Sequence, residues 1–297
     1  MDIPVTVIGG YLGAGKTTLV NHLLRHNEGQ RLAVLVNEFG ELPIDADLIE
    51  AEEDGLVSIS GGCVCCAYGS DLIGALDDLK AMVPRPDHVL IEASGVALPG
   101  AIATTVGLVQ GLRADAILVL ADADQVQANA ANSYLSDTID RQLAQADILL
   151  LTKPDLACDL AAVTDWLRAK APRARIIPAD HGQVPISAVL GALPLPARGH
   201  RPDAGAHGLF ASHVLRPDGP VDAQALARAL AEDPTITRAK GFVTGPTGPD
   251  LIHVVGRRHD VEPAATGHET GVVCIGFKGD LRPEALEALL AECVAPA

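Results

Sequence analysis

The segment GGYLGAGKTT at residues 9–18 constrains the fold of this 297-residue chain more than any other feature. It matches the phosphate-binding pattern G-x-x-x-x-G-K-[ST], with Gly10, Gly15, Lys16 and Thr17 at the fixed positions. The apolar run IPVTVIG precedes it and the helix-like segment TTLVNHLLRH follows it, which is the strand, loop and helix context that the pattern requires. The chain is therefore predicted to contain a P-loop that binds a nucleoside triphosphate.

Backbone N–H groups of such a loop surround phosphate oxygens at the positive end of the following helix. Lys16 is expected to reach the β and γ phosphates and to act in catalysis, and the Thr17 hydroxyl is expected to coordinate Mg²⁺. The nucleotide-binding residues predicted in the loop are Gly10, Gly13, Ala14, Gly15, Lys16, Thr17 and Thr18.

A second apolar strand, HVLIE, ends at Glu92, three residues before Gly95. A carboxylate at that place can hold the Mg²⁺ shell or orient water, and a glycine can approach the γ phosphate. We therefore predict Glu92 as a catalytic residue and Mg²⁺ ligand, and Gly95 as a nucleotide-binding residue. Without the P-loop, a carboxylate that caps the next turn would be the better interpretation of Glu92.

The strand DILLLTK leads into Thr152-Lys153-Pro154-Asp155, where GTPases usually have Asn-Lys-x-Asp. An Asp carboxylate can accept two hydrogen bonds from guanine, which adenine cannot match. Thr152, Lys153 and Asp155 are therefore predicted to recognise the base of GTP. On this motif alone, an ordinary strand-to-helix turn with Pro at the first helical position is an open alternative.

Three cysteines, Cys63, Cys65 and Cys66, stand within four positions of a Gly-rich stretch. Adjacent cysteines make a poor disulfide pair, whereas thiolates bind Zn²⁺, Co²⁺ and similar metals well. Two or three sulfurs leave the coordination incomplete, which suits transient metal binding better than a permanent structural zinc.

Val/Ile/Leu-rich runs alternate with helical patterns through the first two thirds of the chain, which predicts an α/β fold with a doubly wound, mostly parallel sheet covered on both faces. Residues 192–208 are rich in Pro, Gly and Ala and are predicted to be a linker. The predicted organisation is a P-loop domain over residues 1–191 and a smaller α+β domain over residues 209–297.

The formal net charge is −16, which disfavours a nucleic-acid partner because Lys and Arg supply most of that affinity. The N-terminus has no signal-peptide pattern, and no apolar run approaches the length of a membrane span. We therefore expect a cytoplasmic protein without a membrane partner, in which the cysteines are mostly reduced.

The sequence strongly resembles the CobW-type family of metallochaperone GTPases, which includes nitrile hydratase activators and belongs with HypB and UreG in the SIMIBI class. The matching segments include the P-loop, NEFGELPIDADLI, SGGCVCC, HVLIEASG, LLTKPDL, RAKGFV and GVVCIGF. The resemblance implies that the chain hydrolyses GTP with Mg²⁺, binds Zn²⁺ or Co²⁺ as cargo and delivers it to a client metalloprotein. It also implies that homodimers are possible.

By this resemblance, Cys63, Cys65 and Cys66 are the metal thiolates. In the segment NEFGE, Glu38 is a candidate catalytic residue near the Mg²⁺ or the γ phosphate, and Glu41 is a candidate extra ligand for the transition metal. A solvated loop charge is the alternative for Glu41. The sequence departs from the family where Thr152 replaces the commoner Asn, and where VALPG lacks the acidic residue that generally precedes its Pro.

Two other classes of function stay open at this point. A small-molecule kinase could use the same P-loop, although no acceptor site is readable. A thiol redox sensor could use the cysteine cluster as a reversible disulfide.

Overall fold

The chain forms two compact units, Met1–Gln183 and Val184–Ala297. The predicted linker, residues 192–208, lies outside the residues that the structure describes. The computed structural model describes residues 2–37, 58–61, 70–179, 183–191 and 210–294.

Strands and helices alternate along the described part of the first unit. The strands are β1 (Ile3–Gly10), β2 (Leu32–Asn37), β3 (Ser58–Gly61), β4 (His88–Glu92), β5 (Leu112–Asp122), β6 (Ile148–Thr152) and β7 (Arg175–Ala179). The helices are α1 (Lys16–Arg25), α2 (Ser70–Ala81), α3 (Pro99–Val106), α4 (Val126–Ala131), α5 (Ser136–Gln145) and α6 (Leu160–Lys170).

The seven strands form one sheet in the order β3-β2-β4-β1-β5-β6-β7, and each pairing described between neighbours is parallel. Parallel strands need crossover connections, and the helices of those connections cover both faces of the sheet. Every residue of β4 and of β6 is accordingly buried. This confirms the predicted doubly wound sheet, and it brings the carboxyl ends of β1, β4, β5 and β6 to one edge.

Small branched side chains fill both faces of this sheet. On one face, Val7 of β1 packs in a cluster with Leu76 of α2 and Ile102 of α3. On the other face, Val119 of β5 packs in a cluster with Leu143 of α5. Full burial of such a side chain contributes about 1.5–3 kcal/mol, so a chain with 48% hydrophobic and only 3% aromatic residues builds its core from many aliphatic contacts.

The second unit is the smaller α+β domain that the sequence predicts. Its sheet has the order β11-β10-β9-β12-β8, and its described pairings are antiparallel. Its elements are α7 (Ile186–Leu190), β8 (Phe210–Leu215), α8 (Ala223–Glu232), β9 (Ile236–Gly245), β10 (Gly248–Val255), β11 (Arg258–Pro263), β12 (Gly271–Phe277) and α9 (Pro283–Glu292).

The helices α8 and α9 close one face of the second sheet. Leu226 of α8 and Leu286 of α9 are fully buried in a cluster with Ala239 of β9. Within RAKGFV, a side chain at Gly241 would place a Cβ 2.0 Å from the carbonyl oxygen of Gly271 on β12, so only glycine allows the two strands to pair there. Within the ranges described, neither unit contains a helix with the length and apolar character of a membrane span.

Several short elements were not predicted from the sequence. Strand β11 has the polar sequence RHDVEP and lies at the sheet edge beside β10, with its residues exposed or half-buried. An edge strand with little burial has no apolar alternation to reveal it. The helices α4 and α7 have only six and five residues, which is too short for a helical period to be recognised.

Candidate functional site: a phosphate-binding loop at the sheet edge

The P-loop connects the end of β1 at Gly10 to the start of α1 at Lys16. Gly10 has φ of 128°, and a side chain there would place a Cβ 2.5 Å from the Leu120 carbonyl oxygen of β5. Gly15 has φ of 95° and directly precedes the helix. Because L side chains rarely adopt these conformations, the glycines permit the tight turn that leads into the N-terminus of α1.

The Lys16 ammonium group lies over the loop that it belongs to. Its Nζ donates hydrogen bonds to the carbonyl oxygens of Gly10 at 3.1 Å and of Tyr11 at 3.3 Å. The residue is 8% exposed, so a positive charge is buried within the turn that leads into α1. Charge and N–H donors together form a site for phosphate oxygens.

Thr17, in the first turn of α1, meets Glu92 at the end of β4. Glu92 ends β4 and is 3% exposed, and its partner in the sheet register is Ile8 of β1. The Thr17 hydroxyl donates a hydrogen bond of 2.9 Å to Oε1 of Glu92. A hydroxyl and a carboxylate at this spacing fit Mg²⁺, a hard cation that takes oxygen ligands.

The loop after Glu92 approaches the P-loop closely at Gly95. A side chain at Gly95 would place a Cβ 2.6 Å from Cδ2 and 2.8 Å from the backbone N of Leu12. Leu12 itself is 63% exposed. The structure thus brings Gly95 against the P-loop, at the same edge of the sheet as Thr17 and Glu92.

Thr152, at the end of β6, is bonded to the P-loop. Its Oγ1 lies 3.0 Å from the Ala14 carbonyl oxygen and 3.3 Å from that of Ala121, and the side chain is buried. The hydroxyl therefore makes a bond to the P-loop even though the amide of the commoner Asn is absent. Ala14 is buried, while Thr18 is exposed on α1.

Lys153 also reaches back to the P-loop. Its backbone has φ of 51°, in the left-handed region, and its Nζ donates to the Gly13 carbonyl oxygen at 3.0 Å and to Oδ2 of Asp122 at 2.6 Å. Asp155 follows in the one-turn 3₁₀ helix Pro154–Leu156 and is exposed. The Asp155 carboxylate is therefore open to solvent, two residues after Lys153.

Asp122 was missed by the sequence reasoning. It ends β5, its partner in the sheet register is Thr152, and it is 8% exposed. The available signal was the acidic residue at the end of the apolar run AILVLAD, next to a strand that carries the TKPD motif. A pocket of about 280 Å³ opens beside this cluster, between the P-loop and the helices α4 and α5.

The predicted transition-metal site and one catalytic candidate lie outside the described residues. These are Glu38, Glu41, Cys63, Cys65 and Cys66. The described strands β2 and β3 end at Asn37 and Gly61, which are partners in the parallel register. Among the described residues alone, no group of three or more His, Cys, Asp or Glu side chains could hold a metal ion.

Comparisons with known proteins agree with this fold and this loop. Residues 4–178 match the CobW/HypB/UreG nucleotide-binding domain, and residues 210–294 match the C-terminal domain of the cobalamin synthesis protein cobW. The zinc chaperone CobW of Pseudomonas aeruginosa is 32% identical over 87% of this chain and 82% of its own length.

Two further relatives extend the comparison. The zinc chaperone CobW of a Sinorhizobium species is 33% identical over 64% of this chain, and the match spans 62% of that protein, which is less than two thirds of it. The crystal structure of Zn(II)-bound YjiA GTPase from E. coli is 26% identical, with a TM-score of 0.51 over 99% of this chain and 100% of that one. The resemblance inferred from the sequence is confirmed: the chain belongs to the CobW/HypB/UreG family of P-loop GTPases.

Proposed function

We propose that the chain is a GTP-hydrolysing metallochaperone that binds Zn²⁺ or Co²⁺ and delivers it to a client metalloprotein. The observation that carries the proposal is the convergence of three features on one sheet edge: the P-loop, the Thr17–Glu92 pair and the TKPD segment bonded back to the loop. Two relatives are named zinc chaperones, and a solved relative is a Zn(II)-bound GTPase.

The P-loop residues Gly10, Gly13, Ala14, Gly15 and Thr18 would hold the phosphates through backbone N–H groups and one hydroxyl. Lys16 would exchange its hydrogen bonds to the loop carbonyls for the β and γ phosphates. Those bonds hold the ammonium group within the loop that would receive the phosphates.

Thr17 and Glu92 would hold Mg²⁺, which when bound neutralises charge on the phosphates. Their oxygens already lie 2.9 Å apart. Glu92 and Glu38 are the proposed groups that orient the attacking water, and Gly95 lies where the loop after β4 meets the P-loop.

The base is proposed to be guanine. Asp155 would accept the two guanine hydrogen bonds, and the stem of Lys153 would lie along the ring. Thr152 and Lys153 donate hydrogen bonds directly to P-loop carbonyl oxygens, so the segment that would bind the base also supports the loop that would bind the phosphates.

The cargo is proposed to bind Cys63, Cys65 and Cys66, with Glu41 as a further ligand. Zn²⁺ and Co²⁺ suit a thiolate set with an oxygen donor. The sequence leads into Glu38 and Glu41 directly from β2, and into the cysteines directly from β3, and these strands end in register. GTP would order both segments, and loss of the γ phosphate would release them and the metal.

The domain limits at residues 191, 192–208 and 209 remain predictions, as do the cytoplasmic location and a homodimer. The second unit is a candidate for client docking.

Two measurements on the purified full-length chain test the proposal. Hydrolysis of GTP should exceed that of ATP at equal concentration, and Lys16→Ala should lower the rate by at least about a hundredfold because it removes charge stabilisation at the γ phosphate.

Zinc binding, followed by competition with a chromophoric chelator, should be lost in Cys65→Ala and kept in Cys158→Ala, which changes an exposed cysteine elsewhere. Zinc binding that survives Cys65→Ala, or a rate unchanged by Lys16→Ala, contradicts the proposal.

A further inference from the structure

A buried glutamine of helix α5 holds the loop between β4 and α3. Gln142 of α5 is 1% exposed. Its Nε2 donates hydrogen bonds to the carbonyl oxygens of Gly95 at 3.1 Å and of Ala97 at 2.8 Å. One side-chain amide thus uses both of its N–H groups on two carbonyls of the same loop.

A second glutamine, one turn further along α5, holds the far end of that loop. Oε1 of Gln145 accepts a hydrogen bond of 2.9 Å from the backbone N of Gly100. Gly100 is the second residue of α3, whose N-cap makes no side-chain hydrogen bond, so Gln145 satisfies one of the unpaired N–H groups of the helix start. Residues 142 and 145 are three apart and therefore share a face of α5.

The two glutamines do different work because only one of them acts where the loop meets the P-loop. Gly95 lies so close to Leu12 that a Cβ at Gly95 would stand 2.6 Å from the leucine side chain, whereas Gly100 contacts Gln145 and belongs to α3. A carbonyl fixed by a hydrogen bond fixes its whole planar peptide group. Gln142 therefore sets the orientation of the peptide groups that follow Gly95 and Ala97.

We propose that Gln142 is a positioning residue for GTP hydrolysis: it holds the Gly95 loop against the P-loop so that the loop distinguishes a γ phosphate from its absence. The inference rests on the proposed hydrolysis of GTP. Gln142 need not contact the nucleotide, since its N–H groups are committed to the loop. The P-loop would supply most of the binding of the diphosphate part of the nucleotide. Displacing the Gly95 loop should therefore lower the stabilisation of the transition state more than it lowers the affinity for GDP.

The test compares Gln142→Met with Gln145→Met in the full-length chain with Mg²⁺. Methionine keeps the length and the apolar packing and removes the donors or the acceptor. For Gln142→Met we expect kcat to fall by at least about tenfold, KM for GTP to change by less than about twofold, and GDP affinity to stay within about twofold of wild type. The ratio of GTPγS affinity to GDP affinity should fall. For Gln145→Met, kcat and that ratio should stay close to wild type.

If Gln142→Met does not fold, as judged by circular dichroism and GDP binding, Gln142→Leu is measured in its place; leucine is also apolar and removes the same donors without placing a charge beside the two carbonyl oxygens. An unchanged kcat and an unchanged affinity ratio overturn the inference. So does a loss of GDP affinity in parallel with kcat, which would indicate a general structural role. A wild-type chain that hydrolyses no GTP contradicts the proposed function instead; the inference is then judged on the ratio of GTPγS to GDP affinity, and a ratio equal in wild type and variant overturns it.

Discussion

Thr152 holds the P-loop with a single hydroxyl hydrogen. That hydrogen is shared between the carbonyl oxygens of Ala14 at 3.0 Å and Ala121 at 3.3 Å. Lys153 adds a bond to the Gly13 carbonyl and is itself paired with Asp122. The TKPD segment therefore has two bonds to the P-loop, one from the last residue of β6 and one from the residue that follows it.

At this scale we predict that Thr152→Val weakens the binding of GDP and of GTP alike. Valine has the same shape but no hydroxyl, and it leaves the buried Ala14 carbonyl without that donor, at a cost of about 1 kcal/mol or about fivefold in Kd. Titration with a fluorescent nucleotide measures the change. The control is Thr164→Val, which removes a hydroxyl bonded within its own helix α6 at an exposed position. Equal affinities for wild type and Thr152→Val would show that the bond does not support the site.

At the scale of elements, the sheet of the second unit contains a buried thiol with a fixed protonation state. Cys274 lies on β12 and is fully buried. Burial raises the pKa of this thiol, and the charges of Asp233 and Glu287 raise it further. The folded thiol stays protonated at pH values where an unfolded cysteine, with a pKa of about 8.5, ionises.

The raised pKa of Cys274 predicts a fall in stability at alkaline pH. Above about pH 8.5 the unfolded state binds fewer protons than the folded state, so the free energy of unfolding decreases as pH rises. Between about pH 8 and pH 10, the free energy of unfolding of Cys274→Ala should fall by about 1–2 kcal/mol less than that of the wild type. Calorimetry at both pH values measures this difference. Cys158→Ala, at an exposed site, should behave like wild type, and an equal loss in Cys274→Ala would contradict the prediction.

The strands that position the site were predictable because their burial leaves a pattern. β4 and β6 are buried along their whole length and β1 nearly so, and Glu92 and Thr152 stand at the carboxyl ends of β4 and β6. The position of Asp122 at the end of AILVLAD was visible in the sequence, but its contact with Lys153 and the contacts of Gln142 were not predictable, since each depends on which elements become neighbours in space. A lone Asp after a strand, or a Gln within a helix, carries no local signal of its partner.

Over the whole molecule, the proposed function requires a coupling between nucleotide binding and zinc binding. The P-loop follows β1 at the sheet edge, and the cysteines follow β3, which is separated from β1 by β2 and β4. If GTP orders the segments after β2 and β3, zinc must bind more tightly in the GTP state. By linkage, zinc must then raise the affinity for GTP by the same factor.

The most direct measurement is the zinc Kd of the full-length chain, obtained by competition with a chelator, in the presence of Mg²⁺ with either GTPγS or GDP. Zinc should bind at least about tenfold more tightly with GTPγS, a coupling of about 1.4 kcal/mol, and zinc binding should be lost in Cys65→Ala. The same zinc Kd in both nucleotide states would contradict this coupling.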